Sequence, residues 1–310
     1  MASIDTIANR STGSAVAGKA YFETSTNKFI VYNGSSWVEL DSDGTGSNFE
    51  NRWGASFDGS NDLISTGYTP SASTGFTASM WVKSSNTSQN MTFFSCTRNT
   101  GSPGGFSLLS VGSRGNFYVQ VKNSASPTYS NPLFGAATTR TDLCDDNWHH
   151  LAITIDGTAI KAYLDGGDAA INSSNTSNTA GSPYATATST VSYAGTAGNP
   201  YFFGRNGAYT NAANYWYDGL LDEAAFFETA LDGATIANIY NSGLPNNILS
   251  LNPKLWYRMG DDSNDSPSSD PASNKIATIT DSSGNGNVGT QSTATNQPTF
   301  SDLTGETIYS

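Results

Sequence analysis

Short runs of aromatic and β-branched residues alternate with clusters of glycine, asparagine and serine along most of the chain. Such runs favour strands, and such clusters favour turns. From residue 48 onward the runs recur with the rhythm of a two-layer antiparallel sandwich, at 55–65, 75–84, 91–97, 105–111, 115–122, 149–156, 159–164, 200–205 and 219–228. The pattern therefore predicts an all-β fold.

One segment has helical rather than strand periodicity. In 231–240, Ile236, Ile239 and Tyr240 recur at the spacing of one apolar helix face. Asp232 is placed to cap the first turn, and the sequence 241–243 is suited to end the helix.

The first 46 residues predict a small β-meander of their own. Its strands are expected at 20–24, 28–32 and 37–40, and Asn33-Gly34 is a strong hairpin signal. Because three short strands bury too little surface to be stable alone, we interpret this unit as an attachment or oligomerisation element. A linker rich in Asp, Ser and Gly follows it.

The net charge of the chain limits the kinds of ligand that it is expected to bind. Of its 310 residues 13% are charged, and the net charge is −12, which argues against nucleic acid as a ligand but could attract Ca²⁺. No apolar run approaches the roughly 18 residues of a membrane span, so no membrane insertion is expected. The start, 1–7, has no secretory leader pattern, and Cys96 and Cys144 are therefore expected to be reduced rather than paired.

Four blocks occur in a characteristic order: 57–65 (FDGSNDLIS), 76–83 (FTASMWVK), 147–157 (NWHHLAITIDG) and 219–227 (GLLDEAAFF). Together they resemble the laminin-G-like jelly roll of the concanavalin A-like lectin/glucanase superfamily. The resemblance implies a two-sheet antiparallel jelly roll over 47–249 that serves mainly as a scaffold for display and binding.

The C-terminal segment, 250–310, resembles a displaced piece of the same fold. The sequences at 255–261 and 280–290 are similar to the opening strands of the family, which normally precede the first block. Either the chain is permuted and completes its own sandwich, or the segment is donated to a neighbouring subunit.

The N-terminal block resembles a repeat of phage tail-fibre and virion proteins, through 18–24 (GKAYFET) and 33–37 (NGSSW). This resemblance implies a virion structural protein, a head decoration or a tail-fibre-type subunit on the particle surface. Its partners would be capsid or tail proteins, further copies of itself in a homo-oligomer, and host-surface glycans. The alternative is a bacterial cell-surface carbohydrate-binding or adhesion module.

No catalytic constellation is expected. Retaining glycosidases need two carboxylates about 5 Å apart, and neighbouring strand residues such as Asp222 and Glu223 would point to opposite faces. His149 and His150 are also neighbours on a predicted strand, so their side chains would face opposite sides and make a poor metal-binding pair. We predict that both histidines are structural. We therefore expect a protein that is not an enzyme.

Two kinds of binding site are predicted. The resemblance implies a structural Ca²⁺ held by Asp58, Asp62 and Asp222 with the Gly59 carbonyl, although 58–61 could instead be a turn capped by its own side chains. Sugar binding needs exposed aromatic faces beside hydrogen-bonding groups, and the candidates, which could also lie in core strands, are Arg205, Tyr209, Tyr215 and Trp216.

Overall fold

A computed structural model describes residues 20–23, 28–32, 37–39, 49, 51–71, 74–87, 91–96, 105–111, 116–122, 129–130, 133–134, 143–167, 185–188, 201–205, 215–268 and 274–304. The chain divides into two compact units, residues 1–50 and 51–310. The C-terminal segment therefore belongs to the second unit. In the described part of the chain, no helix has the length and apolar character needed to cross a membrane.

The first unit contains the three expected strands, β1 (Ala20–Glu23), β2 (Lys28–Tyr32) and β3 (Trp37–Glu39). They form an antiparallel sheet in the order β1-β2-β3, with Tyr21 opposite Ile30 and Val31 opposite Val38. The role of this unit in attachment or oligomerisation stays a prediction.

Strands are the main regular elements of the second unit in the part that the structure describes. The described strands are β4 (Trp53–Asp58), β5 (Ile64–Ser65), β6 (Gly75–Lys83), β7 (Met91–Cys96), β8 (Gly105–Val111), β9 (Asn116–Lys122), β10 (Tyr129–Ser130), β11 (Leu133–Phe134), β12 (His149–Asp156), β13 (Ala159–Leu164), β14 (Ala185–Thr188), β15 (Tyr201–Phe203), β16 (Asp218–Phe227), β17 (Leu255–Tyr257), β18 (Thr278–Ile279), β19 (Gly289–Thr290) and β20 (Thr299–Asp302). One α-helix, α1 (Gly233–Tyr240), follows β16.

These strands form two antiparallel sheets, which confirms the jelly-roll prediction. One sheet runs β14-β13-β12-β6-β16-β4-β20, with β17 also paired to β16. The other runs β10-β9-β8-β7-β15-β5-β19-β18, with β11 also paired to β9. The C-terminal strands β17 to β20 thus pair with strands of the same chain in both sheets.

Aromatic side chains fill the space between the sheets. Phe226 on β16 is fully buried, and its ring centroid lies 5.2 to 5.9 Å from five other aromatic rings, those of Tyr68, Phe76, Phe94, Tyr201 and Phe203. Because Phe94 and Phe203 belong to the opposite sheet, this cluster joins the two layers. Aromatic pairs at such distances add to the free energy gained from burying their surface.

The helix forms as its sequence predicts. The side chain of Asp232 accepts a hydrogen bond from the Thr235 backbone N–H, and Asn241 ends the helix in the left-handed conformation. Ile236 and Ile239 are buried. The Cβ of any residue replacing Gly166 would lie 2.4 Å from Tyr240, so the turn after β13 packs closely on this helix.

The structure adds detail to the strand pattern at two places. The run 55–65 contains two strands, β4 and β5, which belong to different sheets because the turn after Asp58 carries the chain from one layer to the other. After β13, strand β14 pairs with it antiparallel and forms the edge of that sheet.

Adjacent residues of β15 offer a matched test of the core. Phe203 is fully buried and contacts Phe226 and Tyr257, whereas Phe202 is only partly buried. We expect Phe203→Ala to lower the free energy of unfolding by roughly 3–5 kcal/mol, because it leaves a cavity between the layers. Phe202→Ala should lower the free energy of unfolding by less than half as much, measured in the same denaturant titration. Equal losses would contradict the assignment of Phe203 to the inter-sheet core.

Candidate functional site

Three segments lie side by side at one end of the sandwich, and we call them together the rim site: the turn 58–62, Gly204–Arg205 and Tyr215–Asp218. The backbone of Tyr217 joins them, because its N–H donates to Gly204 O and its carbonyl accepts from Gly59 N–H, both at 3.0 Å. Gly204, at φ +84°, permits this approach, since a Cβ there would lie 2.5 Å from the Phe57 ring.

The turn 58–62 is stabilised by its own side chains. Asp58 Oδ1 accepts from the N–H groups of Ser60 at 2.9 Å and Asn61 at 3.3 Å, and Asp62 Oδ2 accepts from Asp58 N–H at 3.0 Å. This is the self-capped turn that the sequence offered as an alternative to a metal site. Within the described residues, two buried acceptors of the turn, Asn61 Oδ1 and Asp62 Oδ1, have no hydrogen-bond partner.

Burial dominates the ionisation of Asp62. Loss of contact with water raises the pKa of its carboxyl, and the negative charge of Asp58 raises it further, to about 6. The side chain is only 5% exposed, whereas Asp58 is exposed at the surface of the turn. Of the two acids in this turn, Asp58 is therefore accessible to a ligand, whereas Asp62 is buried.

The predicted sugar-binding residues are partly brought together. The guanidinium Cζ of Arg205 lies 5.7 Å from the centroid of the Trp216 ring, within the range of a cation–π contact. The Arg205 backbone is held from the other side, since Ser95 Oγ donates to its carbonyl at 2.6 Å. Tyr215 and Trp216 are partly exposed. Tyr209 lies outside the described residues.

Sequence reasoning missed one acid of the rim site. Asp218 is the cross-strand partner of Asp58, where β16 pairs with β4. Its carboxylate accepts from Asn86 Nδ2 at 2.8 Å, and its backbone carbonyl accepts from Ser84 Oγ. Like charges directly opposite each other are destabilising. Nothing local in the sequence signals this pair, because 160 residues separate its members.

The predicted calcium ligands do not converge on one site. Asp222 lies four residues beyond Asp218 on β16, roughly 13 Å along the strand, and Asn51 Nδ2 donates to its carboxylate at 2.9 Å. Among the residues that the structure describes, no three His, Cys, Asp or Glu side chains form a group able to hold a metal ion. Calcium therefore stays a prediction that concerns Asp58, Gly59 and Asp62 alone.

Comparison with protein families gives a match to the laminin-G-like model described as "Concanavalin A-like lectin/glucanases superfamily" over residues 58–237, more than half of the chain. The chain belongs to this superfamily. No curated protein matches it.

Solved structures resemble this superfamily member at low identity. A Bacteroides ovatus protein to which carbohydrate binding is ascribed is 16% identical, with a TM-score of 0.53, over 93% of this chain and 70% of that one. Domain 4 of an extracellular arabinanase from Geobacillus stearothermophilus, solved with arabinotriose, is 20% identical, with a TM-score of 0.42, over 60% and 76%. A heptameric pentraxin from Limulus polyphemus is 16% identical, with a TM-score of 0.44, over 61% and 82%. At 16% identity, the likeness to the Bacteroides ovatus protein shows the fold alone.

Asp222 and Glu223 do not alternate as regular strand residues would. The pairing of β16 with β6 shifts register between Asp222 and Ala225, and Glu223 has φ +45°. Leu221 and Ala224, on either side of this pair, both belong to the inter-sheet core, so Asp222 and Glu223 share the other face and the expectation that they face opposite sides was wrong. Burial, with the neighbouring Glu223 charge, raises the pKa of Asp222 well above its usual range.

Glu223 is held as a structural carboxylate. It accepts from Trp256 Nε1 at 2.6 Å and from Arg258 Nε at 3.2 Å. Burial raises the pKa of Glu223 to about 7 even though Arg258 and Trp256 favour the ionised form. Its side chain is only 6% exposed.

The histidines occupy two different environments in this superfamily member. His149 contacts Asp165 through Nδ1 at 2.9 Å and Asp145 through Nε2 at 3.1 Å. Burial alone would lower the pKa of His149, but the hydrogen bonds and charges of these two acids raise it to about 9. His150 contacts Ser79 Oγ at 2.8 Å, and burial lowers its pKa to about 4.

Among the residues that the structure describes, His150 does not form a serine–histidine–aspartate relay. His150 Nδ1 is buried without a partner among the described residues, while Asp165 Oδ1 accepts from the His150 backbone N–H. Ser79 is also buried. Both histidines therefore lie in structural positions. Cys144 is buried in the inter-sheet core.

The raised pKa of His149 predicts a loss of stability in alkali. A group that titrates at 6.5 when unfolded and at about 9 when folded stabilises the protein fully below pH 6.5. That contribution is lost as the pH rises through about 9. We expect the free energy of unfolding to decline over this interval, and the decline to be smaller in His149→Gln.

His150→Gln is the matched control, because His150 is neutral across the alkaline interval. It should retain the wild-type pH dependence between pH 6.5 and 9 in denaturant titrations. An unchanged alkaline slope in His149→Gln would show that the Asp145–His149–Asp165 contact contributes no stability.

Proposed function

We propose that this protein is a non-catalytic carbohydrate-binding or adhesion module, which binds a saccharide at the rim site. The observation that carries the proposal is the stack of Arg205 on the partly exposed Trp216, beside the acidic turn 58–62. The superfamily and its relatives, one of which has carbohydrate binding ascribed to it, agree with such a role.

The rim site combines the two kinds of group that saccharides require. Indole and phenol rings pack against the C–H face of a pyranose, while charged side chains hydrogen-bond its hydroxyl groups. Arg205 supplies donors and Asp58 supplies acceptors, so neighbouring sugar hydroxyls can be paired in both senses. Contact with Trp216 restricts the guanidinium, so less side-chain freedom is lost when a ligand binds.

Charge favours a neutral saccharide. Asp58 and Asp218 face each other across two strands of the rim site, with only Arg205 among its residues to oppose them. The whole chain carries a net charge of −12. A uronate or sialylated ligand would be repelled both on approach and in contact. We therefore assign the site to neutral hydroxyl-rich sugars.

The virion interpretation depends on a different part of the chain. Its support is the tail-fibre-like sequence of 18–37, which falls in the separate first unit. On this second proposal, the first unit attaches the protein to capsid or tail proteins as a homo-oligomer, and the rim site contacts host glycans. Both proposals use the same saccharide site. They differ in whether that site belongs to a carbohydrate-binding or adhesion module or to a virion protein.

A glycan array followed by calorimetric titration tests the saccharide site. We expect Trp216→Ala and Arg205→Ala each to weaken binding of a neutral glycan by at least about tenfold, or about 1.4 kcal/mol. The matched control is Arg52→Ala, because Arg52 also stacks on a tryptophan, Trp53, at 5.0 Å. Trp53 and Asp58 stand at opposite ends of β4, so Arg52→Ala should bind like the wild type.

Three results would count against the proposal. Binding that survives both rim variants would place the saccharide elsewhere, and preferential binding of acidic glycans would refute the neutral assignment. An array without any bound glycan would reject carbohydrate binding. Repeating the titration with EDTA tests the calcium prediction separately, since a cation in the turn 58–62 should make affinity depend on Ca²⁺.

A further inference from the structure

The loop 281–287 fastens the C-terminal strand β17 to the sandwich. Asp281 Oδ1 accepts from Trp256 N–H at 3.0 Å, and its other oxygen accepts from Asn287 N–H at 2.9 Å. Asn287 Nδ2 donates to Lys254 O at 2.7 Å. The loop therefore contacts both β17 and the residues that lead into it.

Asn285 adds an exposed connection to the same place. Its Nδ2 lies 2.9 Å from Pro253 O, 3.3 Å from Lys254 O and 2.9 Å from Ser283 Oγ. All three atoms act as acceptors, so this position requires an amide donor. A carboxylate there could not donate and would face two carbonyl oxygens.

The backbone nitrogen of the residue after Asn285 is accessible. Gly286 is exposed at φ +77°, and a Cβ at this position would meet nothing within 4 Å. Its backbone N–H donates no hydrogen bond to any residue that the structure describes. The nitrogen is therefore unhindered and uncommitted. Asn287, by contrast, precedes the β-branched Val288.

We propose that Asn285 is a site of spontaneous deamidation, which loosens the attachment of β17. The Gly286 nitrogen loses its proton to a solvent base and attacks Asn285 Cγ, forming a C–N bond. The bond from Cγ to Nδ2 breaks, and the side-chain nitrogen leaves as ammonia after protonation. Water then opens the five-membered imide to aspartate or isoaspartate. The net change is hydrolysis of one amide, with no oxidation or reduction.

Incubation of the full chain at mildly alkaline pH, followed by peptide mapping with mass spectrometry, tests the chemistry. We expect acid at position 285 to accumulate at least about tenfold faster than at 287, because glycine lacks the Cβ that shields the nitrogen of Val288. Gly286→Asn, which tolerates a left-handed conformation, should slow the reaction. Equal rates at 285 and 287 would overturn the proposal.

Hydrogen exchange tests the consequence. The Trp256 and Tyr257 amides should exchange faster in the modified protein and in Asn285→Asp, while β12 should be unchanged. Asn285→Gln, which keeps an amide donor, is the matched control and should exchange like the wild type. Unaltered exchange of β17 in Asn285→Asp would refute the loosening, whether or not deamidation occurs.

Discussion

The fold depends on β16, because one edge of this strand pairs with two different strands. β4 pairs along 218–221, and β17 pairs along 224–226. The bulge between these stretches turns Glu223 toward Trp256 and Arg258. Burying a carboxylate is costly unless it is paired and hydrogen-bonded, and these two partners meet that requirement. A sequence that lacked residues 255–258 would leave both the edge and the carboxylate unsatisfied.

This arrangement explains why sequence reasoning succeeded for some elements and failed for others. β6, β12, β13 and α1 could be predicted, since their periodicity and caps are local. Asp222 and Glu223 could not be placed, because their bulge results from two strands meeting on one edge. The division of 55–65 between two sheets likewise depends on long-range pairing, which the alternation of residues does not encode.

The rim site shows the same limit. An arginine followed ten residues later by two aromatic residues suggested sugar chemistry, and the structure stacks Arg205 on Trp216. The sequence identified the types of residue that could bind a sugar, but it did not predict that Asp58 and Asp218 lie opposite each other. Asp222 rather than Asp218 was predicted to share a Ca²⁺ site with Asp58. The family resemblance identifies sequence blocks, but it does not fix how far along a strand each carboxylate lies.

The ends of the sandwich unit lie together. Leu303 N–H donates to Arg52 O at 2.7 Å, Arg52 pairs with Asp302, and β20 runs antiparallel to β4. Asp58, at the opposite end of β4, belongs to the rim site. The two described ends of this unit, near residues 51 and 304, thus lie at the pole opposite the rim site. In an isolated 51–304 unit, a short linker could therefore join these two ends without covering the rim site.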